Sequence, residues 1–295
     1  MNNVKRAPYL FALPFVISFL LFFLYPVIDM FIMSFHKMEG ISSSVFIGLD
    51  NYKRLFSDPH LGMAVSNSIL FTIGILITNV VFGVLLAVVL NNKLTPFRNI
   101  FRSALFLPSL TSIIVAGIYF RLFFGGGDQT PLNALMSFFH LRVREWLYDN
   151  QTSGLIALVI TSTWRWLGIN TMYFICGLQS IPDELYEAAD IDGANSIKKF
   201  WYITVPGLKP MLIFVITTLT YGGLRMFGES YVLWINGSTP GDIGLTIVLY
   251  IYKTAFAHFD NGYASALSVV LFICLMLINL IYIKLLGIGK REGSH

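Results

Sequence analysis

Apolar and polar positions alternate on a long scale in this chain. Six apolar stretches, at about 9–35, 64–90, 104–124, 154–178, 210–234 and 264–287, are separated by shorter polar segments. Each reaches the roughly 20 residues that a helix needs to cross the hydrocarbon core of a bilayer. No water is available there to satisfy backbone N–H and C=O groups, so each stretch is predicted to be a helix. The expected fold class is all-α, a polytopic membrane protein with six transmembrane helices and both termini on one side. Pro14 and Pro26 in the first stretch and Pro108 in the third withhold backbone donors and predict local kinks. The opposite loops, 36–63, 125–153 and 235–263, carry turn-forming and aromatic residues such as Gly125, Pro131, Trp146 and Pro240. None is long enough to build a core of its own, and no fixed-period repeat is visible. Residues 1–295 therefore read as a single membrane domain.

Composition strengthens this picture. With 56% hydrophobic and 12% charged residues and a mean hydropathy of +0.70, the chain has more apolar surface than a soluble domain of its length can bury. The net charge of +4 comes from Lys and Arg dispersed among loops and membrane ends, not from one basic stripe, which argues against nucleic acid. Eleven Lys and Arg residues, including Lys93, Lys290 and Arg291, fall on the side of the termini, against six opposite: Lys37, Lys53, Arg54, Arg142, Arg144 and Lys253. The positive-inside rule then predicts cytoplasmic termini in a cytoplasmic (inner) membrane. The opening MNNVKR and its apolar run mimic a signal peptide, but the run is long and ends in no small-residue cleavage site, so it reads as an uncleaved first span. Gly293-Ser294-His295 reads equally well as an added tail or a native one. Cys176 and Cys274 each sit in an apolar run and are expected to be small buried hydrophobes.

One cytoplasmic-side segment departs from the apolar pattern, YEAADIDGANSIKKFWYITVPGLKP at 186–210. Upstream, Ser180-Ile181-Pro182-Asp183 offers an N-cap, a first-turn proline and an acid, with Glu184 and Glu187 adding negative charge near the positive helix end. Gly193 is able to end that helix in the left-handed conformation, and Asn195 or Ser196 to cap a second one running to Pro206. The predicted product, at about 180–208, is a helix–turn–helix elbow.

This segment contains EAAxxxG (Glu187, Ala188, Ala189, Gly193) followed by Ile203-Thr204-Val205-Pro206. It resembles the EAA loop of ATP-binding-cassette (ABC) importer permeases. TWRWLGIN at 163–170, GLQSIPDELYEAADIDGA at 177–194 and GYASALSVVLF at 262–272 are similar to the maltose-type carbohydrate permeases in particular. Val205 stands where the family pattern usually has Leu, and the large external insertion that some maltose-type members carry between spans 3 and 4 is missing. The resemblance implies that Glu187, Ala188, Ala189 and Gly193 form a coupling helix docking a separate ATPase. It also implies a second homologous permease subunit, two ATPase subunits that bind ATP and Mg, an extracellular or periplasmic solute-binding protein, and a carbohydrate solute.

Candidate solute contacts lie in the spans. Trp166, Asn170, Tyr173 and Gly177 fall on one face of a helix by the 3.6-residue period. Aromatic rings and amides suit a polar uncharged sugar, and the same groups also serve interhelical packing. Arg165, Arg225 and Glu229 are costly in a bilayer and so are functional candidates, with Arg225 and Glu229 at the i,i+4 spacing of a pair. For Glu229 the nearby Tyr231 and Trp234 favour a structural role at an interface. Thr72 and Asn79, seven residues apart, form a weaker pair of candidates. GxxxxGK[ST], HExxH and GxSxG are all absent, so no catalytic residue, metal site or cofactor is expected in this chain. Asp190-Ile191-Asp192 mimics a metal-binding DxD but sits inside the elbow pattern. A stand-alone secondary transporter, which would need paired inverted repeats, and a membrane-embedded enzyme using Asp190 and Asp192 are the competing classes.

Overall fold

A computed structural model describes residues 2–39, 43–92 and 94–286. Lys93, Lys290, Arg291 and Gly293-Ser294-His295 lie outside the described residues. Along the chain, α1 (Asn2–Phe19) passes through a π-helical turn, Leu20–Leu24, into α2 (Tyr25–Met33). A hairpin of β1 (His36–Glu39) and β2 (Ser43–Phe46) pairs antiparallel with His36 opposite Phe46. Then come α3 (Asp50–Leu55), α4 (Pro59–Asn91), α5 (Arg98–Leu110), α6 (Ile113–Phe123), α7 (Pro131–Phe138) and α8 (Gln151–Gln179). The elbow follows as α9 (Asp183–Ile191), α10 (Ser196–Lys199), a second π-helical turn at Phe200–Thr204 and α11 (Val205–Gly207). The chain closes with α12 (Lys209–Leu224), α13 (Gly228–Leu233), α14 (Ile247–Tyr252), a third π-helical turn at Lys253–Ala257 and α15 (Asn261–Leu286).

Prolines shape these helices in two ways. Pro26 and Pro206 each stand two residues after a π-helical turn, so the kink predicted at Pro26 takes the form of a widened turn just ahead of the ring. At Pro108 the effect is larger. Thr111 and Ser112 adopt extended backbone, with ψ of 135° and 137°, and α5 and α6 meet at 99°. The expected third span, 104–124, is therefore a broken one. The expected fifth, 210–234, is interrupted as well, because α12 ends at Leu224 and the chain leaves the helix before α13.

Among the described residues, Leu10–Met33, Pro59–Asn91 and Asn261–Lys284 are each long and apolar enough to cross a membrane, and bent pairs raise the number to as many as five. Helix α8, predicted as the fourth span, has 29 residues and is about 43 Å long at 1.5 Å per residue. Its polar side chains dilute the apolar signal. The two-residue-period hairpin was not expected. The cysteines also differ from expectation: Cys176 and Cys274 are free and exposed, since in a membrane protein apolar runs face lipid as readily as a core.

The described chain forms two compact units. The first joins Met1–Pro59 to Tyr250–His295. There Asn51 is buried and its amide donates to the carbonyls of Ser34 (2.9 Å) and His36 (3.0 Å). Gly262 lets α15 approach β1 so closely that a Cβ would fall 1.9 Å from the His36 carbonyl oxygen. The Asp58 carboxylate accepts from the hydroxyls of Tyr250 (2.5 Å) and Tyr263 (2.6 Å), and Arg54 pairs with Asp260 at 2.5 Å. Burial first, and then the bond to Asp58, pushes the Tyr250 hydroxyl well above its usual range, so it remains a donor.

The second unit, His60–Leu249, has a core of Phe71, Phe120, Phe124, Leu158, Phe174, Val215 and Trp234. Helix contacts in it are close because glycine faces them: a Cβ at Gly168 would lie 1.7 Å from the Leu105 carbonyl oxygen of α5. The loop 125–150 is pinned by one buried residue. Asn133 donates to the carbonyls of Gly125, Gly127 and Arg144, and accepts from the indole N–H of Trp146.

Candidate functional site

Polar chemistry in the second unit gathers at two places, one inside the helices and one at their end. Inside, a cavity of about 410 Å³ lies among α4, α8, α12 and the break that follows α12. Helix α8 presents Trp166, Asn170 and Tyr173 to it, as the helical period requires. Asn79 comes from α4, Thr218 from α12, Arg225 from the break and Glu229 from the first turn of α13. The side chains expected to face solute thus stand in one cavity. Gly177, the fourth residue of the predicted face, does not line it. A Cβ there would lie 2.8 Å from Leu208 Cδ2, so Gly177 serves a helix contact. Thr72 likewise turns to packing, against Gly223, while its partner in spacing, Asn79, lines the cavity.

The amides form a short relay across the wall. Asn170 Nδ2 donates to Asn79 Oδ1 at 3.1 Å and to the Trp166 carbonyl at 2.9 Å, and Asn79 Nδ2 donates to the Ile75 carbonyl at 3.0 Å. Tyr173 packs edge-on to Phe214, with centroids 5.2 Å apart. Trp166 leaves 41% of its surface exposed, which suits a ring able to stack on a solute.

The ion pair differs from the expected one. Glu229 binds Arg165, with Nη1 to Oε1 at 2.7 Å, and both are buried. An i,i+4 pair with Arg225 needs unbroken helix, and the helix is broken between them. Arg225 caps α12 with φ −98° and ψ 11°; it is exposed and makes no ion pair among the described residues. The Trp166 indole N–H also donates to Glu229 Oε1, at 3.4 Å. Sequence spacing has no access to a bond between residues 64 positions apart. The one signal was the presence of two intramembrane charges of opposite sign.

The second place is the elbow. Helix α9 begins after Pro182, with Asp183 and Glu184 in its first turn. Ser180 instead closes α8, donating its hydroxyl to the Gly177 carbonyl at 2.7 Å, so the expected Ser180 N-cap is replaced by the bare backbone of Pro182. Gly193 has φ +69°, the left-handed turn its position predicts. Asn195, not Ser196, caps α10 by accepting from the Lys198 N–H at 2.9 Å. Glu187 and Ala188 are exposed and Ala189 half-buried, with Ile191, Ile197, Trp201 and Tyr202 also exposed around them.

Lys199 pairs with Asp190, and no group of three or more His, Cys, Asp or Glu side chains gathers there or elsewhere among the described residues. Tyr186 and Thr204 hydroxyls meet at 2.9 Å, and a Cβ at Gly207 would touch Ile181. The elbow is thereby tied into one body between α8 and α12, the two helices that carry much of the cavity wall.

Comparison with known proteins gives three findings. Residues 79–288 match the family model described as binding-protein-dependent transport system inner membrane component. The chain is 50% identical to the arabinooligosaccharides transport system permease protein AraP of Bacillus subtilis over 98% of this chain and 91% of that one. It is 44% identical to the protein of the same name from Halalkalibacterium halodurans, over 98% and 90%. Among solved structures, a chain of a bacterial ABC transporter involved in import of the acidic polysaccharide alginate superposes with a TM-score of 0.84 at 21% identity, covering 98% of this chain and 99% of that chain.

Proposed function

Because the chain belongs to the family of binding-protein-dependent transport system inner membrane components, it is a membrane-embedded permease subunit, and we propose that it forms half of an ATP-driven importer for neutral oligosaccharides. The cavity is the observation that carries the choice of solute. Its aromatic surfaces and amides match the apolar faces and hydroxyls of a sugar, and the names of the relatives suggest arabinose oligosaccharides. Trp166, Asn170, Tyr173 and Arg225 are the proposed contacts.

The elbow is the proposed coupling element. Glu187, Ala188, Ala189 and Gly193 dock into a separate ATPase subunit, which holds ATP and Mg. Small side chains at 188 and 189 let a partner's groove approach the backbone; the elbow is held together by the Tyr186–Thr204 contact, and the packing of Gly177 of α8 against Leu208 and Met211 passes its displacement to the cavity wall. The transporter comprises this chain, a second homologous permease, two ATPase subunits and an external solute-binding protein, with both termini of this chain in the cytoplasm. The test is co-purification of the partners followed by uptake of arabinotriose into vesicles. Uptake that needs ATP and the loaded binding protein is expected. Uptake driven by an ion gradient without an ATPase would overturn the proposal.

A further inference from the structure

A buried carboxylate in the wall of a membrane cavity, Glu229, backed by a buried arginine, Arg165, needs a reason. A buried ion pair is seldom better for stability than apolar residues of the same volume, because desolvation offsets the attraction. In a bilayer the cost rises further. The bond between Arg165 and Glu229 is also incompletely made. A strong arginine–carboxylate pair is bidentate, whereas here the single contact within hydrogen-bond reach is Nη1 to Oε1. Arg165 Nε is buried with no partner. Both donors that reach Glu229, Arg165 Nη1 and Trp166 Nε1, use Oε1. No hydrogen bond to Oε2 is made among the described residues, and Glu229 lines the cavity.

From this geometry we infer that Glu229 Oε2 is the hydrogen-bond acceptor for a solute hydroxyl, with Arg165 as the residue that positions the carboxylate. The inference rests on the carbohydrate reading of the cavity and assigns one recognition role within it. A carboxylate accepts and does not donate, so it selects hydroxyl-bearing solutes and discriminates against one whose hydroxyl at that point is missing. The neighbouring groups complete a site for one sugar unit. Trp166, whose indole N–H is directed to the same carboxylate, offers its ring, and Asn170 keeps its Oδ1 for a second hydroxyl.

The experiment uses the assembled transporter in vesicles, with arabinotriose and its monodeoxy analogues each preloaded to saturation on the binding protein. Wild type is expected to take up arabinotriose, and at least one analogue about tenfold more slowly or worse, as the loss of a hydrogen bond to a charged group implies. Glu229→Gln is expected to lower arabinotriose uptake by about tenfold, raise the ATP hydrolysed per trisaccharide and reduce the discrimination between parent and analogue.

The exchange Arg165→Glu with Glu229→Arg keeps an ion pair but puts donors where the acceptor stood, and it is expected not to restore uptake. Restoration would show the pair to be structural and overturn the assignment. Equal wild-type rates for arabinotriose and every analogue would overturn it too, whatever the variants do. If wild type moves no arabinotriose at all, the carbohydrate reading itself fails, an outcome distinct from both.

Discussion

Gly168 and Gly193 look alike in sequence and do opposite work. At Gly168 the constraint is space: a Cβ would overlap the Leu105 carbonyl, and backbone cannot move aside as a flexible side chain can. Gly168→Ala is expected to cost about 1–3 kcal/mol through overpacking, read as a lower melting temperature and yield of the purified complex. An unchanged melting temperature would mean that α5 slides freely. At Gly193 nothing lies within 4 Å of an added Cβ, and φ is +69°. Only the backbone conformation penalises a substitution, by about 1–2 kcal/mol for a side chain unsuited to it. Gly193→Val is therefore expected to cut transport much further than Gly193→Asn, since Asn tolerates that conformation. Equal uptake by the two variants would show that transport does not depend on the left-handed turn. Gly193 was legible from its pattern; Gly168 was not, because its partner is 63 residues away.

Among the elements, the elbow invites a test that leaves the helices alone. Ala188 is exposed on α9, so Ala188→Trp adds bulk to the outer surface without disturbing the core. The expected outcome is an intact, stable chain with weakened ATPase association, or with hydrolysis uncoupled from uptake. Full retention of binding, stimulated hydrolysis and uptake would show that the docking face lies elsewhere. The elbow was readable because its signals are local: charge at a helix start, a glycine at its end, an amide cap on the next. The break at Thr111–Ser112 was legible only as a local kink expected at Pro108, not as a turn of 99°, and the break at Arg225–Phe227 was not legible. Apolar composition persists across both, and hydropathy does not record the direction in which a helix leaves a bend.

At the scale of the whole molecule, the distribution of Lys and Arg sets an expected orientation that labelling checks directly. Tags at both termini and a cysteine at Ser196 should report cytoplasm, and a cysteine at Ser137 the outside. Labelling of Ser196→Cys by an impermeant reagent in intact cells, against lysed controls, would reverse the assignment and with it the placement of the elbow.

Long apolar runs made the helical membrane fold legible without coordinates, because the bilayer imposes one requirement, internal backbone hydrogen bonding, on every residue within it. Helical period alone likewise put Trp166, Asn170 and Tyr173 on one face. Which faces meet is a different matter. The Arg165–Glu229 bond, the approach of α5 to Gly168 and the entry of Asn79, Thr218 and Arg225 into a common cavity all join positions far apart in the chain. Tertiary packing decided these, since they depend on where broken helices turn and how closely glycine lets them pass.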